Sequence, residues 1–223
     1  MRRLCRIGVA LHTLADTWAH QGFSGRHNKE NDVESIYHRD GKKWKYLFLE
    51  NIYLDVLPQI GHTEAGHFPD QPFLEWRYTR EKTDKKMKRN NTKEFIVAAK
   101  TIYGFLRAVN KSNSDAAIPW GDIEKDIQRL LAYRKEDVEK RCSKWRDRFQ
   151  PLFDPLNFEY DRRAWRNDAL GPEREVDTEW GDFKPSDFHQ LQFPMKPDFY
   201  DSPWVQFHRA ALRQRHLVLE NLI

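Results

Sequence analysis

Three side chains that can bind metal ions recur at a fixed spacing near the start of the chain. His12, Asp16 and His20 are each four residues apart. On an α-helix, a step of four residues turns the side chain by only about 40° and advances it by about 6 Å, so all three lie on one face. Imidazole nitrogen and carboxylate oxygen are ligands that suit zinc and similar divalent ions. The spacing therefore predicts a row of metal ligands along one helix.

The length of this row indicates two ions. His12 and His20 are separated by about 12 Å along the helix axis, which is too far for both to bind the same ion. We expect His12 and Asp16 to bind one ion, and His20, with or without Asp16, to bind a second. Asp16 is the predicted bridge and the predicted catalytic residue, because two metals about 4 Å apart are typical of phosphoester hydrolysis. The alternatives without a metal are a set of buried hydrogen bonds and a helix face that is exposed to water.

A second group of potential ligands follows in a segment rich in Gly, His and Pro. Residues 60–72 read IGHTEAGHFPDQP and contain His62, Glu64 and His67. One helix face supplies at most two ligands to an ion, whereas a tetrahedral site needs three or four, so this segment is the predicted source of the remaining ligands. Glu64 has the alternative role of orienting an imidazole from outside the coordination shell. Asp70 is a fourth potential ligand, and its position between Pro69 and Pro72 favours the alternative role of a turn former.

Four stretches that would position these residues carry apolar side chains at helical spacing. They are Leu4 to about Gln21, Asn91 or Thr92 to Val109, Asp122 to about Phe149, and a last helix that begins at Ser202-Pro203. Ser202 is the predicted N-cap of the last helix, with Pro203 as its first helical residue. The pattern predicts an all-α fold.

The stretches between these helices are predicted to be irregular. Asn28–Gly41 and Thr79–Lys93 are polar and are interpreted as a loop and an exposed connection. Trp44–Leu57 has a mixed pattern that leaves helix and extended structure open. Residues 150–202 are rich in proline and aromatic residues. We therefore expect a long irregular segment that precedes the last helix and packs on the helical domain. The whole chain, residues 1–223, is therefore predicted to be a single helical metal-binding domain.

Composition narrows the class of protein. The net charge is +4, from 38 basic and 34 acidic residues, and the two signs are interleaved along the chain. Interleaving favours a solvated surface over a nucleic-acid-binding one. Cys5 and Cys142, the two cysteines, are too few for a disulfide framework or a Cys-type zinc site. No apolar run has the length of a transmembrane helix or of the apolar region of a signal peptide, which predicts a cytoplasmic protein.

The beginning of the first helix has an unusual charge pattern. Arg2, Arg3 and Arg6 fall where the helix dipole disfavours cations, and no Ser, Thr, Asp or Asn precedes them as an N-cap. Two interpretations stay open. The terminus is frayed, or the chain is an N-terminally truncated form of a longer protein whose helix begins upstream.

The two ligand-rich stretches also carry a family resemblance. HTLADTWAHQGF, from His12 to Phe23, resembles the H-x-x-x-D-x-x-x-H helix of the zinc-dependent phospholipase C and nuclease superfamily. Paired with GHTEAGHFPDQP, it is similar to an uncharacterised bacterial family that we associate with that superfamily. The resemblance implies an all-α bundle around zinc ions. In such a bundle His12 and Asp16 would bind one zinc, Asp16 would bridge to another, and His20 would bind a neighbouring ion.

The resemblance also implies a later histidine and an acidic residue, for which His62, Glu64 and His67 are the candidates. The leading hypothesis is a zinc-dependent hydrolase that acts on phosphodiester or phosphomonoester groups of small molecules or lipids. The alternative is a catalytically inactive helical metal-binding or interaction module. A third hypothesis, nucleic-acid binding through Lys82–Lys93 and the long charged helix from Asp122 to about Phe149, predicts a steep dependence of binding on salt.

Overall fold

The computed structural model describes residues 2–47, 60–80, 86–110, 117–135, 137–152, 161, 164–171 and 195–221. The chain divides into two compact units. One consists of Thr13–Phe158 and is called the sheet unit below, and the other consists of Met1–His12 with Glu159–Ile223 and is called the terminal unit. The first helix, α1 (Arg2–Ala19), contributes residues to both.

The sheet unit is built on a four-stranded antiparallel sheet. Its strands are β1 (Val33–Asp40), β2 (Lys43–Leu47), β3 (Glu75–Arg80) and β4 (Lys86–Asn90), in the spatial order β2-β1-β3-β4. The prediction of an all-α fold is therefore wrong, and the fold is mixed α/β. Asn28–Gly41 and Thr79–Lys93, which were predicted to be irregular, both contain strands. Residues 44–47 of the mixed-pattern stretch are extended, and residues 48–57 lie outside the described part of the chain.

The strands were not predicted from the sequence, because cationic side chains on their outer face made these segments resemble polar connections. In β3, Trp76 and Tyr78 are buried and Arg77 between them is exposed, which is the alternation of a half-buried strand. In β4, Lys88 is exposed and Arg89 is buried. Composition alone does not distinguish a buried arginine from the exposed lysines beside it. The sequence of β4 is therefore polar throughout and resembles that of a surface connection.

The core of the sheet unit lies on the opposite face of the sheet. Its buried residues are Val33, Ile36, Ala65, Leu74, Trp76 and Tyr78. The rings of Trp76 and Tyr78 are stacked with their centroids 4.9 Å apart, and Phe23 stacks on Tyr78 at 5.6 Å. Aromatic stacking therefore extends the core from the sheet to the segment that directly follows α1.

Three helices complete the sheet unit, namely α2 (Asn91–Val109), α3 (Trp120–Leu131) and α4 (Val138–Phe149). The N-cap of α2 is Asn90, one residue before the predicted position, and its side chain accepts a hydrogen bond from the Lys93 N–H at 3.0 Å.

The single helix predicted from Asp122 to about Phe149 is wrong, because the chain leaves the helical path after Leu131. Asp137 then caps α4 by accepting a hydrogen bond from the Lys140 N–H at 3.2 Å.

In the terminal unit, α6 (Pro203–Glu220) begins as predicted. The Ser202 hydroxyl accepts a hydrogen bond from the Val205 N–H at 3.4 Å, and Pro203 is the first helical residue. A short helix, α5 (Ala164–Ala169), lies within the stretch predicted to be irregular, of which residues 153–160, 162–163 and 172–194 are outside the described residues. Of the helices that are described, none has the length and apolar character needed to cross a membrane.

Candidate metal centre

Three side chains that could bind a metal ion converge in the sheet unit. They are His20, directly after α1, His62, at the start of a short 3-10 turn, and Asp70, in the turn that follows. One ligand atom from each lies within 4.8 Å of the other two. The side chains are 30%, 25% and 47% exposed, so the group is open to solvent on one side.

Both histidines direct the same ring nitrogen at the carboxylate. His20 Nε2 is 3.1 Å from Asp70 Oδ1, and His62 Nε2 is 3.8 Å from Asp70 Oδ2. The two imidazole rings stack with their centroids 4.2 Å apart. One nitrogen from each ring and one carboxylate oxygen therefore lie close together, and these are donor atoms of the kind that bind divalent cations.

The hydrogen bond at the far side of the His62 ring assigns its tautomer. His62 Nδ1 is 2.9 Å from the Gly66 carbonyl oxygen. Because a carbonyl oxygen only accepts, Nδ1 carries the hydrogen, and in the neutral ring Nε2 presents a lone pair toward Asp70. Metal-bound histidines commonly donate their other ring N–H to a backbone carbonyl in this way. The His62 ring is therefore oriented as a ligand through Nε2.

The end of α1 positions His20. The His20 N–H donates to the Asp16 carbonyl at 2.8 Å and continues the helical pattern, and the Phe23 N–H then donates to the His20 carbonyl at 3.0 Å. Gly22 has a φ of 85°, which allows the chain to reverse at this point. The Phe23 ring contacts the His62 ring edge-on, with the centroids 6.3 Å apart.

A buried amide holds the His62 segment against the chain that follows α1. Asn31, which is 1% exposed, accepts a hydrogen bond from the Ser24 N–H at 2.7 Å and donates to the Ser24 carbonyl at 3.0 Å. The same carbonyl accepts from the Gly61 N–H at 2.8 Å. The chain that follows α1 and the His62 segment are therefore held together at Gly61, the residue directly before His62.

Asp70 is a turn former, as the sequence predicts, and is also part of the group. Its N–H donates to the His67 carbonyl at 3.1 Å, which closes the turn. Sequence reasoning favoured the turn over a ligand role for Asp70. The available signal for the ligand role was its place in the same His-rich segment as His62.

The other predicted ligands lie outside this group of three. His12 is exposed and Asp16 is half-buried on α1, and His67 is exposed in the turn. Glu64 is buried, and its Oε2 accepts a hydrogen bond from the Val33 N–H at 2.6 Å, which ties the 3-10 turn to the start of β1. The two-ion row on α1 and the metal roles of Glu64 and His67 stay predictions.

These features define a mixed α/β protein with a solvent-accessible group of two histidines and one aspartate. A family model described as "Family of unknown function (DUF6765)" matches residues 1–222. The chain belongs to this family. No curated protein and no solved structure matches it.

Proposed function

We propose that this protein is a metal-dependent phosphoester hydrolase whose divalent ion, zinc in the first instance, binds at His20, His62 and Asp70. The observation that carries the proposal is the convergence of three ligand atoms within 4.8 Å of one another from three separate segments of the chain. Two imidazole nitrogens with one carboxylate oxygen form a donor set that catalytic zinc sites use.

The openness of the group supports a catalytic ion over a purely structural one. Structural zinc sites are closed by four protein ligands, whereas catalytic sites have three and keep one position for water or substrate. Here three protein ligands face solvent on one side. A bound divalent ion would polarise a phosphoryl oxygen and generate a nucleophile from water at neutral pH. His12 and Asp16 remain the proposed ligands of a second ion.

Metal analysis of purified protein, combined with one matched pair of variants, tests the binding step. His62→Ala removes a member of the group, whereas His208→Ala removes an exposed histidine of α6 that lies outside the group and outside the predicted ligands. We expect wild type and His208→Ala to retain zinc after dialysis and His62→Ala to lose it. Equal retention by all three proteins would contradict the proposed ligand set. Two zinc ions per chain in the wild type would support the second ion.

Hydrolysis of bis(p-nitrophenyl) phosphate and p-nitrophenyl phosphate tests the chemistry. We expect activity in the zinc-loaded wild type and in His208→Ala, and its loss in His62→Ala and after chelation. Zinc binding without hydrolysis of either ester would overturn the hydrolase proposal and favour the inactive metal-binding module. The same donor set also suits iron(II), so retention of iron in preference to zinc would overturn the assignment of the metal.

A further inference from the structure

We infer that Arg89 and Asn91, at the junction of β4 and α2, form a clamp that positions the ligands of the candidate metal centre. The inference rests on the proposed function. Neither side chain belongs to the group of three ligands, so both are positioning residues. The clamp acts through backbone carbonyls next to His20 and Asp70.

Arg89 holds the end of α1. Its guanidinium donates to the Trp18 carbonyl at 2.7 Å and to the Ala19 carbonyl at 2.8 Å, the two residues that directly precede His20. These carbonyls belong to the last turn of the helix, where the helix dipole places partial negative charge. A cation at this position satisfies acceptors that the helix itself leaves open, and it fixes the point from which His20 projects.

The Arg89 side chain is itself held rigidly. It is 4% exposed, it forms an ion pair with Glu94 in the first turn of α2, and its guanidinium carbon lies 5.7 Å from the centre of the Trp76 ring. A buried charge is tolerated only when it is paired and hydrogen-bonded, and Arg89 meets both conditions. The planar fork of arginine allows contact with two carbonyls and a carboxylate at once, which a lysine cannot reproduce.

Asn91 holds the turn that carries Asp70. Its side-chain amide donates to the Phe68 carbonyl at 2.7 Å and to the Gln71 carbonyl at 2.8 Å, on either side of Asp70 in the chain. Its side-chain oxygen accepts from Trp76 Nε1 at 2.9 Å. Asn91 is fully buried, so this turn is tied to the core of the sheet unit.

Arg89 and Asn91 are separated in sequence by a single residue, Asn90. The segments that they hold carry His20 and Asp70, which are 50 residues apart in sequence. A shift of either Arg89 or Asn91 would change the separation between His20 Nε2 and the Asp70 carboxylate. Residues that orient metal ligands from outside the coordination shell typically change metal affinity by about 10- to 100-fold when replaced. The clamp therefore predicts that Arg89 controls affinity without contacting the metal.

Cobalt(II) titration of the full chain, followed by its visible absorption spectrum, tests the clamp. We expect Arg89→Lys to bind cobalt about tenfold more weakly than wild type, with a changed spectrum, under conditions in which both proteins are folded. The matched control is Arg148→Lys, because Arg148 pairs with Asp126 at 2.6 Å in the same unit. A loss of stability alone would affect both variants, whereas the cobalt spectrum should change only in Arg89→Lys.

Hydrogen exchange of the metal-free proteins provides a second readout. We expect Arg89→Lys to raise the exchange of peptides that cover residues 16–23 and not of those that cover α4. If Arg89→Lys does not fold, Glu94→Gln is the second test variant, because it retains Arg89 and removes its ion pair. We expect its loss of cobalt affinity and its rise in exchange to be smaller than those predicted for Arg89→Lys. Cobalt binding and exchange equal to wild type would overturn the clamp alone. A wild type that binds no cobalt would overturn the proposed metal centre, and the clamp with it.

Discussion

Replacing Asn91 with alanine should strongly destabilise the sheet unit. The substitution removes hydrogen bonds to the Phe68 and Gln71 carbonyls and leaves the buried Trp76 Nε1–H without its acceptor. Each hydrogen bond contributes about 1 kcal/mol net, and a buried donor that loses its partner costs about 1–3 kcal/mol. The backbone bond from the Asn91 N–H to the Leu74 carbonyl is retained. We expect the free energy of unfolding to fall by about 3–5 kcal/mol.

Urea denaturation followed by tryptophan fluorescence measures this loss, and Asn90→Ala is the matched control. Asn90 is the neighbouring asparagine, and its side chain makes one N-cap hydrogen bond to the Lys93 N–H. Loss of such a cap costs about 1 kcal/mol. With a urea m-value of about 2 kcal/mol per molar, Asn91→Ala should lower the midpoint by at least about 1.5 M, and Asn90→Ala by about 0.5 M. Equal small shifts in the two variants would refute the role given to Asn91.

Three further predictions concern a buried carboxylate, a glycine with positive φ and a helical glycine in the sheet unit. Glu64→Ala should lower the free energy of unfolding by about 2 kcal/mol, because the buried carboxylate accepts from the Val33 N–H. Glu64→Gln, which keeps an acceptor, should lose less, and equal losses in urea denaturation would contradict this reasoning. Gly22→Ala should cost about 1–3 kcal/mol, since Gly22 has positive φ and its added Cβ would lie 2.8 Å from the Arg80 guanidinium. Gly104→Ala, in an open position on α2, should instead gain about 0.5–1 kcal/mol in thermal denaturation.

Local chemistry made the helix ends largely predictable from the sequence. Ser202 followed by proline marked the start of α6, because both residues have a defined role at that position. The break between α3 and α4 was missed because apolar spacing continued across it and Asp137 was not recognised as a second cap. Helix periodicity alone does not distinguish one long helix from two short ones that share an apolar face.

The sheet was not predicted because cationic residues of its strands occur both on the exposed face of the sheet and in the buried interior. Arg77 and Lys88 face outward, while Arg89, equally charged, is buried in contacts with α1 and α2. Sequence composition treats these three cations alike. Only the partners contributed by distant segments show which of them is inside the fold.

The candidate metal centre was predicted in part for the same reason. His20 and His62 were identified from residue type and spacing, and both lie in the group. Asp70 was interpreted as a turn former in preference to a ligand, because it lies between two prolines and its contact with His20 joins residues far apart in sequence. Spacing along one helix identifies residues that share a face, but it does not show which of them meets a loop 50 residues away.

A crystal structure of the zinc-soaked protein, with anomalous data collected at the zinc absorption edge, tests the central claim most directly. The account predicts an anomalous peak about 2.0–2.2 Å from His20 Nε2, His62 Nε2 and an Asp70 carboxylate oxygen. A structure with no anomalous peak at this group, and with His20 and Asp70 still hydrogen-bonded to each other, would contradict it.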